Sequence, residues 1–324
     1  MNIRRLITFI SLFLFSLSVQ AATLPGPVVD TAWLAKNRDK VTVLDVRKDI
    51  KSFTAKPAYK KNKKTGKLKL VRVGGHIDGA QLVNYKKVRA KKEIGGQKVT
   101  RMLPAKADFE KLMQAAGLNN NSPVVIVSKG QSGGDITIAT RLYWQLKYFG
   151  HTDMAILDGG MAQWLKDGNK VSTKPATKGK GNWVATAENK SILATSEDVA
   201  AAVKDKSTQL VDTRNLSLYL GTYKKSYVYA KGHVPSAKSF PVELLTYPAL
   251  PAKLTPKNDL ATLAAEFGID TKKPAITYCN SGHLASGAWF VMSEVMGNKQ
   301  AKLYDGSMHQ WTLEKRPTTA MKME

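Results

Sequence analysis

The chain has 324 residues, 43% hydrophobic and 23% charged, which excludes a disordered or fibrous protein and leaves room for two globular domains. Its formal charge of +25 favours anionic ligands and partners but specifies no fold. The single cysteine excludes an intramolecular disulfide, and one cysteine with five scattered histidines gives no zinc-type ligand spacing.

The first segment reads as a secretory signal. Arg4 and Arg5 precede an apolar run over 6–19, whose 14 residues are too short for a comfortable membrane span, and Ala21 offers a small residue for cleavage. Segment 1–21 is therefore set aside as a signal peptide. The mature protein is expected to be periplasmic or secreted, with no stable membrane span. Exported proteins usually pair their cysteines, so an unpaired one implies either burial or chemistry.

Short apolar β-type runs cover 41–46, which ends in Asp45-Val46-Arg47, and 124–127, which ends at Ser128. Between them lies an irregular basic stretch, 56–69, holding Lys56, Lys60, Lys61, Lys63, Lys64, Lys67 and Lys69, with Arg72 just beyond. Helices are expected over 105–116 and over 136–149, the second stopped by Gly150. Residues 172–193 hold Ser, Thr, Pro, Gly and Lys with little apolar periodicity, which is the composition of a linker. Beyond it come strands over 209–213 and 275–278 and helices over 258–267 and 284–296, the latter stopped by Gly297. Strands alternating with helices argue for an α/β fold, a parallel sheet covered on both faces.

The two halves repeat one another. Leu44-Asp45-Val46-Arg47 returns as Val211-Asp212-Thr213-Arg214, and Gly75-His76-Ile77-Asp78-Gly79-Ala80 returns as Gly232-His233-Val234-Pro235-Ser236-Ala237. Val125-Ile126-Val127-Ser128 matches Ile276-Thr277-Tyr278-Cys279, and the Asp158-Gly159-Gly160 block through Trp164 matches Asp305-Gly306-Ser307 through Trp311. Four blocks in one order indicate a duplicated domain, with halves at 22–171 and 194–324 joined by 172–193. Asp45 and His76 are 31 residues apart and Asp212 and His233 only 21, so 56–69 is an insertion.

The chemistry concentrates at Cys279. It follows a buried-type strand and is succeeded by Asn280, Ser281, Gly282 and His283, with Leu284 opening a helix. Ligands of open α/β sheets bind beyond the carboxyl ends of the strands. A short polar loop leading into a helix aims backbone N–H groups and partial positive charge at one point, which suits an anionic sulfur or a persulfide. The alternative is a buried, inert cysteine.

On these blocks each half resembles a rhodanese domain, and the chain from about Thr31 to Pro317 resembles a tandem sulfurtransferase. The matching features are Asp-x-Arg after an early strand, Gly-His-x-x-x-Ala, Cys-x-x-Gly after a strand, and Asp-Gly-Gly/Ser-x-x-x-Trp. Tyr219-Leu220-Gly221 is similar to the thiosulfate and mercaptopyruvate branch. The resemblance implies two rhodanese-like domains, the second catalytic and the first a silent copy in which Ser128 replaces the cysteine. It implies a sulfurtransferase working through a Cys279 persulfide, with Asn280, Ser281, Gly282, His283 and Leu284 as the substrate loop. It also implies a small sulfane-sulfur donor, a thiol or cyanide acceptor, and neither cofactor nor metal. Two cationic grips usual in the family are absent, because their positions hold Leu218 and Leu284.

Other residues carry competing readings. His283, if charged, would help hold an anion; otherwise it only starts the helix. His76, His233, Asp45, Arg47, Asp212 and Arg214 recur in both halves and read as scaffold, and Asp158 and Asp305 as turn residues. The Lys-rich insertion is either a solvated loop or a docking surface for an acidic partner, as in an exported sulfur carrier. No nucleic-acid-reading motif occurs. A cysteine phosphatase is disfavoured because no Arg closes the loop after Cys279.

Overall fold

The computed structural model describes residues 23–176 and 179–322, so the expected signal segment 1–21 lies outside the described residues. The first half runs β1 (Val28–Val29), α1 (Thr31–Asn37), β2 (Thr42–Arg47), β3 (Ala58–Lys61), β4 (Leu68–Arg72), β5 (Gln81–Asn84), β6 (Ala90–Ile94), β7 (Gln97–Met102), α2 (Lys106–Ala115), β8 (Val124–Val127), α3 (Gly133–Tyr148), β9 (Met154–Leu157) and α4 (Gly160–Lys166). The second runs β10 (Leu193–Ala194), α5 (Ser196–Asp205), β11 (Gln209–Asp212), α6 (Leu216–Tyr219), β12 (Lys238–Ser239), α7 (Lys257–Glu266), β13 (Ala275–Tyr278), α8 (Ala285–Phe290), β14 (Ala301–Tyr304) and α9 (Ser307–Leu313).

Each half builds one parallel five-stranded sheet, ordered β1-β9-β8-β2-β5 and β10-β14-β13-β11-β12. The orders are the same once the strands are matched along the chain, which is the duplication expressed in space. In each sheet the chain passes to one side of β2 or β11, then returns to the other side for β8 or β13. The crevice at that reversal, beyond the carboxyl ends, is where such sheets bind ligands. The central strands, Val-Val-Ile-Val and Ala-Ile-Thr-Tyr, are wholly buried, as two-sided coverage by helices requires.

The halves share one apolar core that crosses the boundary between them. Its hinge is the contact of α3 with α8. Helix α3 is buried on nearly all sides, because one face packs on its own sheet and the other on α8. The approach is close at Gly287, where a Cβ would fall 2.7 Å from both Thr137 Cγ2 and Leu245 Cδ1. Thr140 and Ser286 hydroxyls meet at 2.9 Å, and Tyr143 packs edge-on against Phe290. Lys147 and Tyr143 both donate to the Glu294 carboxylate, at 2.6 and 2.9 Å.

Three local expectations change. Residues 56–69 are not irregular: they belong to the β3–β4 hairpin, whose half-buried Leu70 packs on the first half's core. Its turn closes because the Asn62 side chain accepts from the amides of Lys64 and Thr65, and Gly66 adopts φ +69°. The predicted helix over 284–296 is split, with α8 followed by a π turn at Val291–Val295 in which the Met296 amide donates to Val291 O. Part of the expected linker is strapped to the first half. The Gly181 and Trp183 amides donate to Gln114 O and Leu118 O, and the buried Trp183 ring stands edge-on to Phe109. Three buried apolar residues in the expected linker, Trp183, Ala185 and Ile192, are too few to show as periodicity.

Candidate active site

The chain turns sharply as β13 ends. Gly282 sits at φ +68°, where a Cβ would lie 2.6 Å from Arg141 Nη1 and 2.7 Å from Asp305 Oδ1, so only glycine fits. The first turn of α9 braces the loop from below: the amides of Met308 and His309 donate to Cys279 O and Asn280 O, both at 3.0 Å. Ser307 Oγ accepts from the amides of Cys279, at 3.1 Å, and Gly282, at 3.0 Å, and donates to Tyr304 O. The Ser281 amide donates to Cys279 Sγ at 3.4 Å. The expected convergence of amides on the sulfur is therefore only partly realised: one reaches Sγ, and two are taken by Ser307. Those of Asn280, His283 and Leu284 have no acceptor among the described residues.

Cys279 is 2% exposed, but it does not face hydrocarbon alone. It lies in the wall of a cleft of about 590 Å³ between the two halves. The second half contributes Asn280, Ser281, His283, Leu284, Lys225 and Tyr227; the first contributes Lys48, Gln131, Ser132, Asp135 and Ile138. Of the six predicted loop residues, Gly282 is the one outside this lining, because it supports the loop from behind.

A model of the rhodanese-like domain matches the chain twice, over 29–167 and 195–314. The chain belongs to the rhodanese family. It is 32% identical over 247 residues to a putative thiosulfate sulfurtransferase of Saccharopolyspora erythraea, covering 74% of this chain and 81% of the relative. It is 27% identical over 298 residues to the sulfur carrier protein TtuD of Thermus thermophilus, covering 89% and 94%. The thiosulfate sulfurtransferase of Bos taurus is 29% identical over 251 residues, covering 75% and 80%. Among solved structures, the 3-mercaptopyruvate sulfurtransferase SseA of Escherichia coli superposes with a TM-score of 0.68 at 22% identity, covering 87% of this chain and 98% of that one, a likeness of fold.

Within the two rhodanese domains, the repeated residues hold matching places. Arg47 grips Asp45 through Nε and Nη2, at 2.6 and 2.7 Å, and donates to Gly75 O; Arg214 does the same with Asp212 and Gly232 O. His76 stacks on Phe53 and pairs its Nδ1 with Phe53 O, as His233 does with Tyr219. Asp158 and Asp305 do more than turn the chain. Asp158 accepts from the Leu254 amide of the second domain, and Asp305 from the Leu103 amide of the first. Asp305 also meets Arg141 of α3 at 2.6 Å, in a buried pair across the domain boundary.

His283 differs from both sequence readings. Its Nδ1 lies 2.6 Å from Tyr85 Oη, and its Nε2 lies 3.3 Å from both Lys48 Nζ and Thr137 Oγ1, all in the first domain. Burial, then the charges of Lys48, Arg89 and Arg141, hold its pKa well below the ordinary 6.5. Its polar contacts therefore run to the first domain, and the lowered pKa disfavours the charged form that an anion holder would need. Burial pushes the Tyr85 phenol up to about 12, so it is uncharged. Sequence reasoning missed Lys48, Tyr85, Arg141 and Ser307. One signal was present for Ser307: it stands where the first domain has Gly160, whose own Cβ would clash with Ser128 O at 2.4 Å.

Proposed function

We propose that this sulfurtransferase moves sulfane sulfur through a persulfide on Cys279. The observation that carries the reading is the position of the one cysteine, at the carboxyl end of the central strand of its sheet and in the wall of an interdomain cleft that also holds two lysines. Relatives named as thiosulfate sulfurtransferases, with 80% or more of their length covered, support the class of reaction.

With thiosulfate as donor, the Cys279 thiolate attacks the outer sulfur. A new S–S bond forms, the old S–S bond breaks, and sulfite leaves with the bonding pair. The enzyme is left as Cys–S–S⁻. An acceptor such as cyanide attacks the terminal sulfur, leaves as thiocyanate, and restores the thiolate. Charge balances in both steps with no outside oxidant or reductant. This is covalent catalysis in two half-reactions. Ser281 N–H, together with the free amides of Asn280, His283 and Leu284, supports the reading by leaving donors in the loop for an anion. The first domain holds Ser128 where Cys279 stands and has no cysteine to form a persulfide.

Steady-state transfer from thiosulfate to cyanide tests the proposal. Wild-type protein is expected to give parallel double-reciprocal lines, and Cys279→Ser to lose turnover by at least about a thousandfold, as loss of a covalent nucleophile does. Turnover retained by Cys279→Ser would overturn it.

A further inference from the structure

The cleft lining contains two lysines, Lys48 and Lys225, although the two positions where the family resemblance implies a cation hold leucine. Leu218, at one position where the family usually carries a cation, is buried and packed, and Leu284, at the other, lines the cleft without charge. Lys48 is the first residue beyond β2, and β2 lies next to the central strand of its sheet. The repeat breaks at this residue. Its counterpart three residues after Asp212 is Asn215, which caps α6 by accepting from the Leu218 amide. Lys48 instead crosses to the second domain, placing Nζ 3.3 Å from His283 Nε2 and 5.5 Å from the centre of the Tyr85 ring.

His283 and Tyr85 position this ammonium without cancelling it. When His283 Nδ1–H donates to Tyr85 Oη, Nε2 is the acceptor for Lys48, and both partners stay neutral. Neither Lys48 nor Lys225 forms an ion pair among the described residues. The cleft lining sets these two lysines against a single carboxylate, Asp135, which already accepts from the Gln131 amide at 3.2 Å. Burial and Arg89 lower the Lys48 pKa from its usual 10.5 and Asp135 pulls it back up, so two lysines without a salt bridge line the same cleft as Cys279 and suit a small anion.

We propose that Lys48, supplied by the domain that lacks a cysteine, grips the anionic end of the sulfur donor together with Lys225, so that the site is complete only with both domains. The proposal rests on the reading of Cys279 as the reacting group and specifies a donor whose leaving portion carries negative charge, such as the sulfonate end of thiosulfate.

Alkylation of Cys279 by iodoacetate and by iodoacetamide tests it. Both reagents consume the same thiolate, so the ratio of their rates cancels changes in ionisation or exposure and isolates the pull on an anion. Lys48→Met is expected to lower the iodoacetate-to-iodoacetamide ratio about fivefold, the size of one charge removed from a partly solvated cleft, and Lys225→Met to act in the same direction. Lys272→Met, in the turn at the opposite end of β13, should leave the ratio unchanged. The KM for thiosulfate should rise more than that for the monoanion benzenethiosulfonate. Should Lys48→Met fail to fold, Lys48→Gln carries the same test. A ratio unmoved by loss of Lys48 overturns the proposal. This readout needs no turnover, so its failure is distinguishable from a failure of sulfur transfer.

Discussion

Ser307 shows how much one hydroxyl can hold. It sits at φ +50°, a conformation that costs a non-glycine residue of order 1 kcal/mol, and its Oγ accepts two buried loop amides. Ser307→Ala keeps the strain and strands both amides, so a loss of about 2–4 kcal/mol is expected in equilibrium denaturation. Ser307→Gly strands the same amides but relieves the strain, and should cost about 1 kcal/mol less. Equal losses in the two variants would contradict this account of the loop. At this scale the sequence was informative only where the repeat supplied a comparison. Cys279 stood out against Ser128, and Gly282 lay in the quoted loop. Lys48 did not, because nothing local says that residue 48 reaches residue 283, and it lies just past the repeated block, which ends at Arg47 and Arg214.

Pieces of secondary structure join the domains through polar contacts set in an apolar interface. Arg141 on α3 reaches Asp305 and Gly282 O with Nη1, while its Nε and Nη2 are buried and have no partner among the described residues. Asp305→Asn therefore removes the counter-charge from an already under-satisfied guanidinium. A loss of about 3–5 kcal/mol is expected in denaturant unfolding. A loss below about 1 kcal/mol would show that the pair matters little to the interface. The second hairpin contributes to the same junction: β6 and β7 place Arg101 3.9 Å over the Tyr227 ring, and Leu103 lies just beyond. This hairpin carries a local signature in the sequence. Gly95-Gly96, both at positive φ, form a two-residue turn between alternating residues. The main strands and the helices α2, α3 and α7 fell within a few residues of expectation, because their apolar runs are bounded by Pro, Gly or Asn. The π turn after α8 has no such marker, since burial within the shared core sets it.

Across the whole molecule, three histidines, His151, His283 and His309, have pKa values lowered chiefly by burial. For each, folding disfavours the protonated form relative to the unfolded chain, where histidine titrates near pH 6.5. Their contribution to stability is therefore complete above pH 6.5 and is lost as pH falls toward the folded values. Denaturation midpoints should decline on acidification below that point, and His283→Asn should flatten the slope by up to about 1.4 kcal/mol per pH unit. An unchanged slope would mean that His283 titrates normally in the fold. The duplicated architecture was visible from four repeated blocks, whereas the dependence of the cleft on both domains became visible only once they were packed together. The charge of +25 and the two lysines of the cleft suit the anionic donor proposed above.

The central claim is that Cys279 carries the travelling sulfur. Intact-protein and peptide mass spectrometry after incubation with thiosulfate, without acceptor, addresses it directly. The expected result is one added sulfur atom on the peptide containing Cys279, removed by cyanide and absent from Cys279→Ser. A protein that transfers sulfur at full rate while that peptide keeps its original mass would contradict the account.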